Sequence, residues 1–269
     1  MTDPEGVGEW GRSILLTHGR PTAKVFVLLH GLTASPLQFA EFGRLLFARG
    51  SNVLIPRLPR HGDADRMTAA LGQLDAAELV SFADSIVAEA RAYGERVVVV
   101  GFSIGGLLAA WIAQHHHVAR VVAISPFLGL IWLPERFGPA VTDLALRLPN
   151  WFMWWHPVTR ERLEPRHGYP RFPSHAIARI YRLARRLAED ARSTRPLTDD
   201  IVVVVNDSEV AIKNRNIVRL AASWLAHDGT HVTTHHLRGL PPSHDIIEPM
   251  RVPGIVARIY PELIALADS

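Results

Sequence analysis

Apolar residues along this chain come in short continuous runs, set between stretches with helical spacing. Residues 25–29 (VFVLL) form one run, which stops at His30-Gly31. Residues 36–49 then read as a helix, with Ser35 as N-cap, Pro36 in the first turn and Gly50 at the C-terminal stop. Residues 53–56 (VLIP) predict the next strand. Asp75 followed by Glu78 has the spacing of a capping box and opens a helix running to about Tyr93, before Gly94. The four valines Val97 to Val100 are expected of a strand buried on both faces. Residues 104–114 return to helical spacing. Val118 to Ile124 and Ile201 to Val205 are further buried strands. Residues 212–227 predict a helix, 231–237 a strand, and the tail from about 252 a helix broken near Pro261.

Strands alternating with helices imply an α/β fold, a mostly parallel sheet covered by helices on both faces. That order holds over residues 1–126 and 198–269, the expected core. Residues 127–197 interrupt it and contain no clear strand. They are rich in proline, arginine and tryptophan, including Trp132, Trp151, Trp154 and Trp155. An insertion of that length in a compact domain is expected to form a helical cap or lid.

Composition narrows the chemistry. The 269 residues contain no cysteine, which excludes disulfides, thiolate metal sites and a cysteine nucleophile. The formal net charge is only +3, and lysine occurs twice, at Lys24 and Lys213, so arginine carries the basic character. The densest basic group is Arg179, Arg182, Arg185 and Arg186, followed by Glu189 and Asp190. This reads as a solvated helix face rather than a nucleic-acid stripe, and no nucleic-acid partner is expected. No apolar run is long enough for an integral membrane segment. The N-terminus lacks a basic start followed by an apolar stretch, so a cytoplasmic protein is expected. The oligomeric state is not legible.

The strongest chemical signal is Gly101-Phe102-Ser103-Ile104-Gly105, a G-x-S-x-G pattern between the valine strand and an apolar helix. Strand, sharp turn and helix are the setting of a nucleophile elbow, which projects the serine hydroxyl from the end of the sheet. A serine needs a base, and the base an orienting acid. Of the fourteen histidines, His244 lies in a polar loop after the last strand, where it can swing over the sheet's C-terminal edge. His235 and His236 would be held within that strand, and His115 to His117 would cover a surface turn. Asp207 follows the strand Ile201 to Val205 and is the expected acid, with Glu209 the alternative. Asp245 adjoins His244 and should point away from its ring. The amides of Leu32, in the glycine turn after the first confident strand, and of Ile104 are the expected oxyanion donors. His30 reads as a structural turn residue. No tetrahedral set of ligands suggests a metal.

These motifs, HGLTAS at 30–35, GFSIGG at 101–106, NDSEV at 206–210 and SHD at 243–245, resemble the α/β-hydrolase superfamily from about residue 25 to the C-terminus, outside the insertion. The segment PRLPRHG at 56–62 is similar to a loop of monoacylglycerol lipases and small bacterial carboxylesterases. The resemblance implies an eight-stranded sheet, a cap inserted after the sixth strand, and hydrolysis of carboxylic esters without a cofactor. It assigns Ser103, Asp207 and His244 to the triad, and Leu32 and Ile104 to the oxyanion hole. The HGL segment lacks the HGGG pattern of hormone-sensitive-lipase-like esterases, and the insertion matches no familiar cap. The expected function is serine-dependent hydrolysis of a small-molecule ester of short to medium acyl chain, with Trp151, Trp154 and Trp155 as an apolar binding wall. Thioesterase, amidase, acyltransferase and carbon–carbon hydrolase chemistry could use the same triad, and a non-catalytic binding protein could share the fold.

Overall fold

In a computed structural model the structure describes residues 1–158 and 167–269. A seven-stranded sheet forms its centre, in the spatial order β1 (Ile14–Leu16), β3 (Asn52–Ile55), β2 (Thr22–Leu29), β4 (Gly94–Phe102), β5 (Arg120–Ile124), β8 (Asp200–Asn206), β9 (His231–Leu237). All pairings are parallel except that of β1 with β3. The count among the described residues is seven rather than eight. The three-residue edge strand β1 is too short for its periodicity to be read from sequence.

Side chains alternate between the two faces, as the pleat requires. Val25, Val27, Val97, Val99, Val121, Val203 and Val205 point to one face. There they meet α2 (Ala76–Ala90), α3 (Ile104–His115), α5 (Ser174–Ser193) and α6 (Asn214–Leu225). Phe26, Leu28, Val98, Val100, Val202 and Val204 point to the other, against α1 (Ala40–Phe47) and α7 (Pro253–Asp268). Two-sided burial is why the strands read as valine runs rather than as apolar–polar alternation.

Local differences from the sequence reading have physical causes. The helix expected over 36–49 begins as a 3-10 turn, Pro36–Phe39, before α1. Asp75 caps α2 by accepting the Ala77 N–H at 2.8 Å, but Glu78 is drawn away to the guanidinium of Arg60, so the second half of the capping box is absent. Pro261 does not break the tail helix. It sits on the exposed side of α7, where water can satisfy the carbonyl left without a donor, while Ile259, Tyr260, Leu263 and Ile264 bury the opposite side.

The segment expected to be a cap divides in two. Helix α5 buries Ala176, Ile180, Leu183, Leu187 and Ala191 in the same cluster as α3, so it belongs to the helical layer of the core. What stands outside the layers is most of 129–158 and 167–173, with Phe127, Leu128 and Tyr169 packed into that cluster; residues 159–166 lie outside the described residues. It contains α4 (Gly138–Arg147) and a two-stranded antiparallel pair, β6 (Phe152–Trp154) and β7 (Arg171–Pro173). Four arginines of α5 have partners within the chain. Arg179 donates to the carbonyls of Gly72 and Leu74, Arg182 meets Asp143, Arg185 meets Glu189, and Arg186 lies over Trp111.

Candidate active site

Ser103 sits between β4 and α3 at φ 57°, ψ −113°, a left-handed conformation that is strained for a residue with a side chain. The surroundings impose it. The Ser103 N–H donates to Ile124 O at 3.0 Å, and its carbonyl accepts the N–H of Leu107 and of Phe127, each at 2.9 Å. The turn closes only with glycine on both sides: a Cβ on Gly101 would lie 2.0 Å from Gly105 O, and one on Gly105 would lie 2.0 Å from Leu29 O. The serine is 6% exposed and opens into a cavity of about 580 Å³.

His244 reaches that serine. Its Nε2 lies 2.9 Å from Ser103 Oγ, and its Nδ1 lies 2.9 Å from Glu209 Oε2. The imidazole also rests on Phe102, with ring centroids 5.0 Å apart. Its loop is tied to the loop after β8: Asn206 Nδ2 donates to Ser243 O at 2.6 Å, and Ser208 Oγ donates to Leu240 O at 2.6 Å.

The carboxylate facing His244 is therefore Glu209 and not Asp207. Asp207 extends the pairing of β8, donating its N–H to Leu237 O, and the strand's alternation turns its side chain outward. There it meets His236 Nδ1 at 2.7 Å and lies 3.7 Å from Arg238 Nε. Glu209 lies beyond the next turn with its side chain fully enclosed. Its Oε1 accepts the N–H groups of Val210, Ala211 and Ile212 at 2.9, 2.8 and 3.4 Å. Burial pushes its pKa up, but the hydrogen bond and charge of His244 and the amides of Ala211 and Ile212 outweigh this and hold the carboxyl below the usual range. No residue pattern marks Glu209 over Asp207 in the sequence: Val210, which follows it, is exposed, and the three amides are what hold this acid inward while Asp207 stays at the surface.

The glycine turn at 30–34 is fixed from several sides. The Gly31 N–H donates to Gln38 Oε1 at 2.8 Å, and the Thr33 N–H donates to His61 Nε2 at 3.2 Å. Between them the Leu32 amide has no partner among the described residues, and neither has that of Ile104, the first residue of α3. Leu32, Ser103 and His244 line the same cavity. His30 is structural: its Nε2 accepts the Leu58 N–H at 3.1 Å and its Nδ1 donates to Gly31 O at 2.9 Å. Burial, with the neighbouring His61, drives its pKa well below the usual value. His61 is likewise lowered by burial to about 4, against a hydrogen bond to Pro59 O that favours its charged form. Both rings are thus neutral acceptors near pH 7, which their bonds to backbone N–H groups require.

Of the three tryptophans expected to form a binding wall, only Trp155 borders the cavity. Its Nε1 donates to Thr33 Oγ1 at 2.8 Å. Trp151 is 47% exposed, and Trp154, on β6, is partly buried away from the cavity. Trp154 lies within this three-residue strand and Trp151 and Trp155 outside it, so nearness in sequence does not bring the three rings to one wall. The apolar lining comes instead from Leu32, Phe102, Val210 and Ala211 beside Trp155. A polar side is formed by Gln38, His167, Asp245, Glu248 and Arg251, of which only Asp245, beside His244, stands in a motif read from the sequence.

Residues 26–257 match the model of the alpha/beta hydrolase family. No curated protein matches the sequence. Solved structures share the fold at low identity. A metagenome-derived lipolytic enzyme of the LipS and LipT pair superposes with a TM-score of 0.70 at 14% identity, covering 97% of this chain and 99% of its own. The monoacylglycerol lipase of Paleococcus ferrophilus gives 0.69 at 19% identity, with 95% and 99% covered. A soluble variant of the monoglyceride lipase of Saccharomyces cerevisiae gives 0.68 at 12% identity, with 95% and 90% covered.

Proposed function

The chain belongs to the alpha/beta hydrolase family, and from that premise we propose that it is a serine hydrolase that cleaves carboxylic esters of short to medium acyl chain through an acyl-enzyme intermediate. The observation that carries this reading is the unbroken relay from Glu209 through His244 to Ser103, with 2.9 Å at each step, on a strained elbow. Ser103 Oγ attacks the ester carbonyl carbon as its proton passes to His244 Nε2. Glu209 stays ionised, holds Nδ1–H toward itself and stabilises the imidazolium. The Leu32 and Ile104 N–H groups receive the oxyanion, a contribution of about 3 kcal/mol per donor. His244 then returns the proton to the leaving alkoxide. In the second half a water gives a proton to His244, its oxygen attacks the acyl carbon, and the acid departs as Ser103 recovers its proton.

A cavity of about 580 Å³ suits a small ligand, and its wall of Leu32, Phe102, Trp155, Val210 and Ala211 suits an acyl chain. The similar structures described as lipolytic enzymes and monoacylglycerol lipases are consistent with an ester substrate. A fluorophosphonate probe should label the native protein and fail to label Ser103→Ala. A series of p-nitrophenyl esters, run beside thioesters and amides, should show fastest turnover with short to medium acyl esters. An unlabelled native protein would sink the serine-hydrolase reading. Faster turnover of a thioester or amide would sink the ester assignment alone.

A further inference from the structure

Gln38 is a buried polar residue that none of the steps above uses. It lies in the turn Pro36–Phe39, is 2% exposed and borders the cavity. Its Oε1 accepts the Gly31 N–H at 2.8 Å, and its Nε2 donates to Asp245 Oδ2 at 3.3 Å. Gly31 opens the turn that carries the Leu32 amide, and Asp245 directly follows His244. Asp245 is anchored in turn: its Oδ1 accepts the N–H groups of Ile247 and Glu248, each at 3.1 Å, and Arg251 Nη1 lies 3.7 Å from Oδ2. One side chain thus joins the backbone of the oxyanion turn to the loop of the base, residues 207 positions apart for the pair Gln38 and Asp245.

We infer that Gln38 is a positioning residue, a brace that holds the Leu32 amide in register with His244; the inference rests on the serine-hydrolase reading. The amides on either side of Leu32 are then both fixed, Gly31 by Gln38 and Thr33 by His61, so the intervening N–H is aimed before substrate arrives. Preorganisation of this kind lowers the barrier without adding ground-state binding, so its loss falls on kcat rather than KM.

The direction of each hydrogen bond supplies the test. In Gln38→Glu a carboxylate oxygen still accepts the Gly31 N–H, but its partner oxygen faces Asp245, acceptor against acceptor. In Asp245→Asn the side-chain oxygen is claimed by the Ile247 and Glu248 amides, which turns its NH₂ toward the NH₂ of Gln38, donor against donor. The double variant restores the bond with reversed polarity, the new amide donating to the new carboxylate. With a p-nitrophenyl ester, each single variant should lose about thirtyfold in kcat, with KM within about threefold. The double variant should return to within about threefold of the parent. Thermal unfolding and end-point fluorophosphonate labelling of all four proteins separate a folded, slow site from an unfolded one. Single variants with unchanged kcat, or a folded double variant as slow as the slower single, would overturn the brace while leaving Ser103 in place. Absence of labelling in the parent protein would overturn the serine-hydrolase reading and the brace with it.

Discussion

The floor of the cavity and the segment above it are built on opposite terms. In the floor, polar groups are buried and bonded: Glu209 by three amides and His244, Gln38 by Gly31 and Asp245, Asn206 by Ser243 O and the Ser208 N–H. The segment above exposes apolar surface instead, with Trp132 69%, Leu144 57% and Ile131 50% accessible. Among the described residues, its bonds to the glycine turn converge on Thr33, through Trp155 Nε1 and the Tyr169 N–H. Groups locked by several buried hydrogen bonds can hold a reacting geometry; a segment that keeps much of its apolar surface exposed can shape access to it. Changes in the floor should therefore act on kcat, and changes above it on KM.

The largest effect expected separates the buried carboxylate of Glu209 from the exposed one of Asp207 beside it. In Glu209→Gln the three amides claim the one remaining oxygen, so the NH₂ faces His244 Nδ1 and forces the proton onto Nε2. The ring can then no longer accept the Ser103 proton. The equivalent acid-to-amide change in a serine-protease triad costs about 10⁴ in kcat, and a loss of about 10³- to 10⁴-fold is expected here. Asp207→Asn should leave kcat within about twofold, because that carboxylate serves an exposed pair with His236 and Arg238. Steady-state kinetics of both variants decide it, and a crippled Asp207→Asn enzyme would return the acid to that position.

A smaller effect concerns the support beneath the floor and appears as pH dependence of stability. His61 has a folded-state pKa of about 4 against an ordinary 6.5. Between those values the unfolded chain binds a proton that the folded one refuses, so stability falls as pH falls from 6.5 to 4, by about 3 kcal/mol for this one group. Above pH 6.5 both states are neutral and the penalty vanishes. His61→Gln keeps an acceptor for Thr33 N–H and a donor for Pro59 O but does not titrate. It should start less stable at pH 7 and lose about 3 kcal/mol less than the parent on acidification, read from denaturant midpoints at both pH values. Equal losses in the two proteins would show that His61 is not held neutral by the floor.

What is legible in the sequence follows the same division. The valine runs at 97–100 and 201–205, the elbow around Ser103 and the loop position of His244 are local patterns whose meaning is fixed by strand and turn geometry. The sequence reading places the acid two residues early because distance from a strand end does not tell which way a side chain turns; the alternation that carries Asn206 inward carries Asp207 out. It groups the tryptophans above the cavity by proximity along the chain, but of the three only Trp155 borders it. It assigns helix α5 to the insertion because residues 127–197 contain no clear strand, although the spacing of Ala176, Ile180, Leu183 and Leu187 is that of a core helix. The bridge from Gln38 to Asp245 joins distant segments and has no local signature at all.

The smallest expected effect tests the boundary between floor and segment directly. Trp155 borders the cavity, tilts against Phe172 with centroids 4.2 Å apart and donates to Thr33 Oγ1. Trp155→Phe removes the donor and keeps a ring on Phe172. Thr33 has φ of 65°, a conformation that needs support, but it retains its N–H bond to His61 and its carbonyl still accepts from Tyr169. The turn should therefore stay in place while the segment loosens. A single neutral hydrogen bond is worth about 1 kcal/mol net, so KM should rise by about two- to fivefold with kcat within about twofold. Kinetics across ester chain lengths would sharpen this, because a loosened wall should weaken discrimination between short and medium chains more than it slows either. If kcat instead fell by about tenfold or more at unchanged KM, Trp155 would be helping to aim the Leu32 amide, and the floor would have to be extended to include it.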